Sequence, residues 1–330
     1  MQITVIGGSG FIGTRLVELL LESGYHVKIA DKCISACYPD ICTIADVRDE
    51  KTITEVVAGS DAVVNLAAEH KDNVQPRNLY DEVNIKGAEV VCRACTDAGI
   101  SKIIFTSSVA VYGFAPPDTD EYGEFAPFNN YGRTKLEAEK VYRNWQGESD
   151  NRSLVIVRPT VVFGENNRGN VYNLLKQITN GRFVMIGRGK NKKSMAYVDN
   201  VASFLAYSLK FGPGVHLFNY VDKPDMDMNS LVSLVRRTLG KYDGIGIRIP
   251  YPLGYLGGLV FDLLSKITGK EYPVSSIRVK KFCSTTQFSS STIEATGFKP
   301  PVSLEEGLRR TIDYEFLNPP KEKKHLFYSE

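Results

Sequence analysis

The residues of this 330-residue chain best suited to acid–base chemistry are Ser108, Tyr131 and Lys135. Tyr131 and Lys135 stand four apart, so on a helix they share one face. A lysine cation beside a phenol favours the phenolate, and a positive ring nearby favours it further. The phenol, whose ordinary pKa is about 10, can then act as a base near neutral pH. Ser108 closes the run Thr106-Ser107-Ser108, about 25 residues upstream. From there it can hydrogen-bond a reacting hydroxyl and the carbonyl oxygen that develops from it. Such a set oxidises an alcohol carbon when a hydride acceptor lies beside it.

The opening of the chain implies that acceptor. Gly7-Gly8-Ser9-Gly10-Phe11-Ile12-Gly13 lies between an apolar run, Ile3-Thr4-Val5-Ile6, and a helical pattern from Phe11 to Glu22. In that setting Gly7 permits a tight turn, Gly10 lets the backbone approach a pyrophosphate, and Gly13 lets helix and strand pack closely. The helix amino terminus then turns free N–H groups, those of Phe11 and Ile12 among them, toward the phosphates. Asp31 ends the second predicted strand. A carboxylate there accepts hydrogen bonds from an adenosine ribose and repels a 2′-phosphate. The expected cofactor is NAD, with Lys32 a neighbouring cation that would tolerate NADP.

These residues need a scaffold that brings them to one edge. Short apolar strands are predicted at 2–6, 26–30, 41–45, 62–66, 102–106 and 154–157, with helices at 11–22, 80–98 and 131–145. Such βαβ alternation predicts an α/β fold: a doubly wound parallel sheet covered by helices on both faces. Its strand ends carry Gly7, Asp31 and Ser108 to the carboxyl edge, where ligands bind in such sheets. After Gly164 the rhythm loosens, with helical stretches at 171–179, 200–209, 229–239 and 304–315 among Gly/Pro-rich loops. The expected division is a dinucleotide-binding domain over 1–165, with returning segments from the later half, and a smaller α/β substrate lobe over 166–330. The tail from Pro319 to Lys324 reads as a solvated end.

Composition narrows the classes. A chain that is 43% hydrophobic and 24% charged is ordinary for a globular protein, and a net charge of +2 leaves no basic excess for nucleic acid. Cys92 and Cys95 form a CxxC inside a helical pattern, without a second pair at zinc spacing. They read as small core residues, and no metal is expected. The first strand begins at Gln2 and leaves no room for a signal peptide, so a cytoplasmic setting with reduced thiols is expected.

Taken in order, the glycine run, Asp31, Asp46-Val47, Asn65-Leu66-Ala67-Ala68, Thr106-Ser107-Ser108, Tyr131 with Lys135, and Arg158-Pro159-Thr160 resemble the extended short-chain dehydrogenase/reductase family, whose fold is the Rossmann sheet. More narrowly they resemble its nucleotide-sugar epimerases and dehydratases, over nearly the whole chain. The resemblance implies that Asp46 and Val47 border the adenine and that Leu66, Ala67 and Ala68 line the cofactor cleft. It places Thr106 and Pro159 beside the cofactor, has Asn84 support the cleft from the long helix, and gives Lys135 a contact with the nicotinamide ribose. The related dehydratases carry two acids after the threonine that corresponds to Ser108. Val109 and Ala110 stand there instead, which disfavours dehydration. Reversible oxidation at C4 is left, as 4-epimerisation or as 4-keto-sugar reduction.

The same resemblance marks a substrate side. Ser107 and Ser108 would meet the sugar. Asn170 resembles a diphosphate-contacting asparagine, Lys193 falls where many epimerases carry a phosphate-binding arginine, and Arg278 is a second cation in a matching position. Near Thr286 galactose-type epimerases have a bulky tyrosine; the smaller run Cys283-Ser284-Thr285-Thr286 leaves room for a 2-acetamido group. Members of the family commonly dimerise, so a homodimer through the helices near 80–98 and 131–146 is expected.

One stretch has another purpose. Ile249 to Ser265 is 17 residues with Asp262 its only charge, and prolines and glycines interrupt it. It is too short to span a bilayer. Two readings stay open: a buried helix of the later lobe, or a surface that meets lipid, with Lys266, Lys270, Arg278, Lys280 and Lys281 facing anionic headgroups. The whole sequence, residues 168–177 and 279–283 included, resembles one subgroup, the 4-epimerases of O-antigen (lipopolysaccharide) synthesis that act on N-acetylglucosamine linked to undecaprenyl diphosphate. That likeness implies a lipid-linked amino sugar as substrate and a peripheral place on the cytoplasmic face of the bacterial inner membrane, through about 249–281. Related enzymes use UDP-N-acetylglucosamine, so a UDP-linked substrate is the alternative.

Overall fold

The computed structural model describes residues 1–71, 74–241, 244–270, 272, 274–320 and 325–328. Numbered along the chain, β1 (Gln2–Ile6), β2 (His26–Asp31), β3 (Cys42–Ile44), β4 (Ala62–Asn65), β5 (Lys102–Thr106), β6 (Ser153–Pro159) and β10 (Gly214–Tyr220) form one sheet. Their order is β10-β6-β5-β4-β1-β2-β3, and every pairing is parallel. In β6, Leu154 and Ile156 feed one apolar cluster while Val155 and Val157 feed another. Side chains alternate between faces, and both faces are covered, so these strands read as unbroken apolar runs.

On one face α1 (Phe11–Glu22) packs against α6 (Val198–Tyr207). On the other lie α2 (Glu50–Val57), α3 (Gly87–Asp97) and α4 (Asn130–Gly147). The sequence reading has no element at α2, which offers only Ile53, Val56 and Val57 to the core. The predicted helix over 80–98 is interrupted: Asp81–Lys86 is π-helical and runs on into α3. The wider turn aims Asn84 into the cleft wall, a common use of such bulges. Cys92 and Cys95 are buried among these helices, and burial pushes both thiols up. All six cysteines are free, and no group of potential metal ligands occurs among the described residues.

The switch in strand order between β1 and β4 opens a crevice at the carboxyl edge. The later half covers it. There β7 (Val161–Phe163), β9 (Lys192–Tyr197) and β11 (Asp222–Asp227) form a small mixed sheet, and β8 (Met185–Ile186) pairs with β12 (Arg248–Ile249). Helices α5 (Asn170–Thr179), α7 (Met228–Thr238) and α11 (Leu304–Ile312) share a third apolar cluster with Phe163 and Tyr197. Between α7 and α11 come α8 (Tyr251–Thr268) and α9 (Ser276–Cys283), packed on each other, and the short α10 (Ser291–Ala295) against β10.

Under the carboxyl edge lies a buried polar network that the sequence reading missed. Arg158 is fully buried, and its Nε and Nη2 donate to Glu139 at 2.8 and 2.5 Å. Its Nη1 donates to the Tyr112 hydroxyl and to the Glu121 carbonyl. Tyr112 donates on to Asn219 Oδ1 at 2.8 Å, which ties β6, α4 and β10 together. A signal existed, because Glu139 continues the four-residue spacing of Tyr131 and Lys135. Removing one partner of such a pair leaves an uncompensated buried charge. Arg158→Met is therefore expected to lower the unfolding free energy by about 3–5 kcal/mol, read from urea denaturation. Arg158→Met with Glu139→Leu should recover part of that loss, since no lone carboxylate is then buried.

Candidate active site

The glycine loop is built by close approach. Gly7 has φ +80°, and a Cβ on it would stand 2.8 Å from the Ala67 nitrogen. A Cβ on Gly13 would stand 2.3 Å from the Gly7 carbonyl oxygen, so only glycine lets α1 start this close to the loop that leaves β1. Gly10 is the N-cap of α1 and gives no side-chain cap, which leaves the first-turn N–H groups facing the crevice. Asp31 is stitched to the same loop: Oδ2 accepts the Ser9 N–H at 3.0 Å and Oδ1 the Cys33 N–H at 3.2 Å. Lys32 beside it is exposed.

The rim continues through two pinned segments. Asp46 is forked by Arg48, whose hydrogen bonds hold its carboxyl below the usual range. Val47 is buried against Gly87, where a Cβ would meet its side chain at 2.8 Å. Leu66, Ala67 and Ala68 follow β4, with the Ala67 N–H on Asn65 Oδ1. Asn84 holds this segment from the π-helical turn. It accepts the Glu69 N–H at 2.8 Å, and its Nδ2 donates to the Glu69 carbonyl and to Thr134 Oγ1.

Helix α4 sets the reacting end. Asn129 caps it by accepting the Gly132 N–H at 2.9 Å. A Cβ on Gly132 would lie 2.5 Å from the Ala110 carbonyl oxygen, so the helix start is pressed onto the turn that follows Ser108. Ser108 and Tyr131 are thereby hydrogen-bonded through their side chains. Lys135, on the same helix face, lies 6.0 Å from the centre of the Tyr131 ring and donates to the Thr106 carbonyl at 2.7 Å. Burial raises the Tyr131 phenol and pushes the Lys135 ammonium down to about 7. In the protein alone, desolvation therefore outweighs the help that a lysine cation gives a phenolate.

The residues present fit a bound dinucleotide. The three glycines leave a cradle that a Cβ would fill, and the α1 terminus has no cap of its own. Thr106 Oγ1, at the end of β5, is buried without a hydrogen-bond partner. Pro159 ends β6 at the same edge.

The substrate-side expectations fare unevenly. Ser107 turns away from the crevice. It is buried, and its hydroxyl donates to Glu139 at 2.6 Å, because adjacent residues leaving a strand point to opposite sides. Lys193 is committed elsewhere: Nζ donates to the Lys281 and Ser284 carbonyls at 2.9 and 2.6 Å, and burial pushes it down to about 8. Arg278 reaches the Tyr272 carbonyl at 2.9 Å. Thr286 pairs through its main chain with β9, beside Lys193. Asn170 begins α5 and is exposed. The sequence reading passed over a cavity of about 370 Å³ between the 187–191 turn and the α8–α9 pair, lined by Arg188, Lys190, Tyr251, Lys280 and Cys283. Scattered surface-type cations carry no local spacing signal.

Helix α8 inverts the usual pattern. A Cβ on Gly258 would lie 2.7 Å from the Ser276 main chain, and one on Gly254 2.5 Å from the Ile186 side chain. The glycine face packs inward, and Asp262 accepts the Ser276 N–H there. Leu253, Leu256, Val260, Leu263 and Ile267, spaced three and four apart, are each more than half exposed. The buried-helix reading is thereby set aside within the chain. No described helix is long and apolar enough to cross a membrane. Glu271 and Pro273, inside the 249–281 stretch, lie outside the described residues.

Fold and site define a dinucleotide-dependent enzyme that oxidises and reduces a carbinol carbon, and the chain belongs to the NAD dependent epimerase/dehydratase family, whose model matches residues 3–219. It is 51% identical over 323 residues, 97% of each chain, to the N-acetyl-alpha-D-glucosaminyl-diphospho-ditrans,octacis-undecaprenol 4-epimerase of Escherichia coli O157:H7. It is 29% identical to the UDP-glucose 4-epimerase of Vibrio cholerae, over 94% of each chain. Among solved structures, the Thermus thermophilus UDP-glucose 4-epimerase complex with NAD has the same fold, with a TM-score of 0.71, 22% identity, and coverage of 95% of this chain and 98% of that one.

Proposed function

We propose that this protein is an NAD-dependent sugar 4-epimerase that interconverts N-acetylglucosamine and N-acetylgalactosamine on undecaprenyl diphosphate. The observation that carries the substrate is the 51% identity, over 97% of both chains, to the Escherichia coli enzyme of that specificity. The site supports the chemistry. The N–H groups at Gly10 to Gly13 would hold the pyrophosphate, and Asp31 the adenosine ribose. Val47, Leu66, Ala67, Ala68 and Pro159 would wall the cleft. NAD held there would supply a reversible hydride acceptor for C4 of the sugar. Tyr131 takes the proton of the C4 hydroxyl and gives it back, and Ser108 holds that oxygen as it becomes a carbonyl. Lys135 holds the nicotinamide ribose and, when protonated, draws Tyr131 toward the phenolate.

Beyond the sugar, Asn170 offers an amide N–H, and the cavity cations Arg188, Lys190 and Lys280 offer charge, to the diphosphate. The polyprenyl chain meets the exposed stripe of α8, which lies on the membrane surface with Lys266, Lys270 and Lys281 toward anionic headgroups. The protein is thus peripheral on the cytoplasmic face, and it dimerises through α3 and α4. Residues 1–165 bind the dinucleotide and 166–330 the substrate, with β10 and α6 returning to the first unit. The purified protein, with no cofactor added, is expected to convert undecaprenyl-diphosphate-linked N-acetylglucosamine to its 4-epimer, read by chromatography of the released sugars. Turnover of UDP-N-acetylglucosamine alone would sink the lipid-linked reading, and stoichiometric consumption of NADH would replace epimerase by 4-keto reductase.

A further inference from the structure

Phe327 packs back against the start of α1, beside the cofactor loop. The Phe327 N–H donates to the Asn166 carbonyl at 2.9 Å, and the Arg168 N–H donates to the Phe327 carbonyl at 2.7 Å, a parallel bridge centred on Asn167. The Phe327 ring then lies against Phe11, centroids 5.8 Å apart and planes at 46°. Phe11 is the first residue of α1, next to the uncapped Gly10. A Cβ on Gly164 would stand 3.3 Å from Cζ of the same ring. The Phe11 ring thus meets both the 164 turn and Phe327.

The turn that receives the tail is itself anchored. Arg168 pairs with the nearly buried Glu315 at 2.8 Å, and Glu315 also accepts the Asn166 N–H at 2.7 Å. Tyr314 donates to Asn166 Oδ1, and Glu165 accepts from Tyr197 and Arg15. Phe327 therefore reaches Phe11 from a fixed mount. Fixing that ring fixes the peptide planes of the first α1 turn, whose N–H groups need a set direction to serve an anion. Lys321 to Lys324, most of the stretch read from the sequence as a solvated end, lie outside the described residues.

We propose that Phe327 is a positioning residue for the cofactor: by buttressing Phe11 it holds the first turn of α1 in place and slows release of the dinucleotide. This rests on the reading that Gly7 to Gly13 hold NAD. It also fits an enzyme that reuses one cofactor each cycle, for which slow release costs nothing. The segment works as a clip on the phosphate end and makes no demand on the substrate.

The test uses the full chain loaded with NADH. Release is followed as loss of bound NADH fluorescence on dilution into excess NAD, beside thermal unfolding of the unloaded protein. Phe327→Ala removes the ring and keeps the bridge; Phe327→Pro also removes the N–H that Asn166 accepts. Phe327→Ala is expected to release NADH about five- to tenfold faster, the size of a lost aromatic pair, and Phe327→Pro faster still, with the unloaded melting temperature nearly unchanged. Release at the wild-type rate in both variants would overturn the proposal. So would faster release accompanied by a matching loss of unloaded stability, which marks general loosening. A wild type that binds no NADH would overturn the cofactor reading and this proposal together.

Discussion

Tyr131→Phe is expected to retain NAD and to epimerise at about one-thousandth of the wild-type rate or less, in the range that loss of a general acid–base group produces. The phenol oxygen is the group placed to take the C4 proton, and Ser108 is its hydrogen-bond partner. Phenylalanine keeps the ring, its packing and the position of Lys135, so cofactor content should not change. Turnover within tenfold of wild type would show that another group is the base.

Lys135 adds a test with a sign of its own. Burial lowers its folded-state pKa from 10.5 to about 7. Between those values the unfolded chain holds a proton that the folded chain does not, so stability rises with pH across that window. The cost is fully present below about pH 7 and relieved toward pH 10.5. Lys135→Met should therefore lose activity yet raise the melting temperature of the cofactor-free protein at neutral pH, with the gain fading as the pH is raised. A drop in melting temperature at pH 7 would contradict the burial cost. Loss of function with gain of stability is what a strained functional group predicts.

Leu256→Asp with Leu263→Asp is expected to abolish co-sedimentation with vesicles containing anionic lipid, at least a tenfold loss of bound fraction. Burying a leucine stabilises by about 1.5–3 kcal/mol, and both positions lie on the exposed stripe, away from the packed glycine face. The fold should therefore survive the change. Wild-type binding should weaken with added salt, because the flanking lysines contribute through a screened field. Vesicle binding that persists in the double variant would refute the lipid face. A fall in oligomeric mass without any effect on vesicles would reassign α8 to contact between copies.

Local spacing determined a good deal. The glycine run and Asp31 mark the cofactor turn because the geometry they serve spans a few residues, and Tyr131 with Lys135 because one helix turn sets their distance. The parallel sheet followed from short apolar strands alternating with amphipathic helices. What tertiary structure decided was direction and commitment. Ser107 and Ser108 are alike in sequence, yet one hydroxyl enters the Glu139–Arg158 network and the other meets Tyr131. Lys193 reads as a phosphate-binding cation, but in the fold its ammonium is taken by the Lys281 carbonyl of α9 and the Ser284 carbonyl just after it. The apolar run of α8 faces out because its glycines, and not its leucines, allow close approach to Ser276 and Ile186. Phe327 lies 316 positions beyond Phe11, and no periodicity records that they touch. Periodicity reports which face of an element is apolar. Which partner arrives at that face, and which polar group it consumes, is set by contacts between distant segments that only the folded chain brings together.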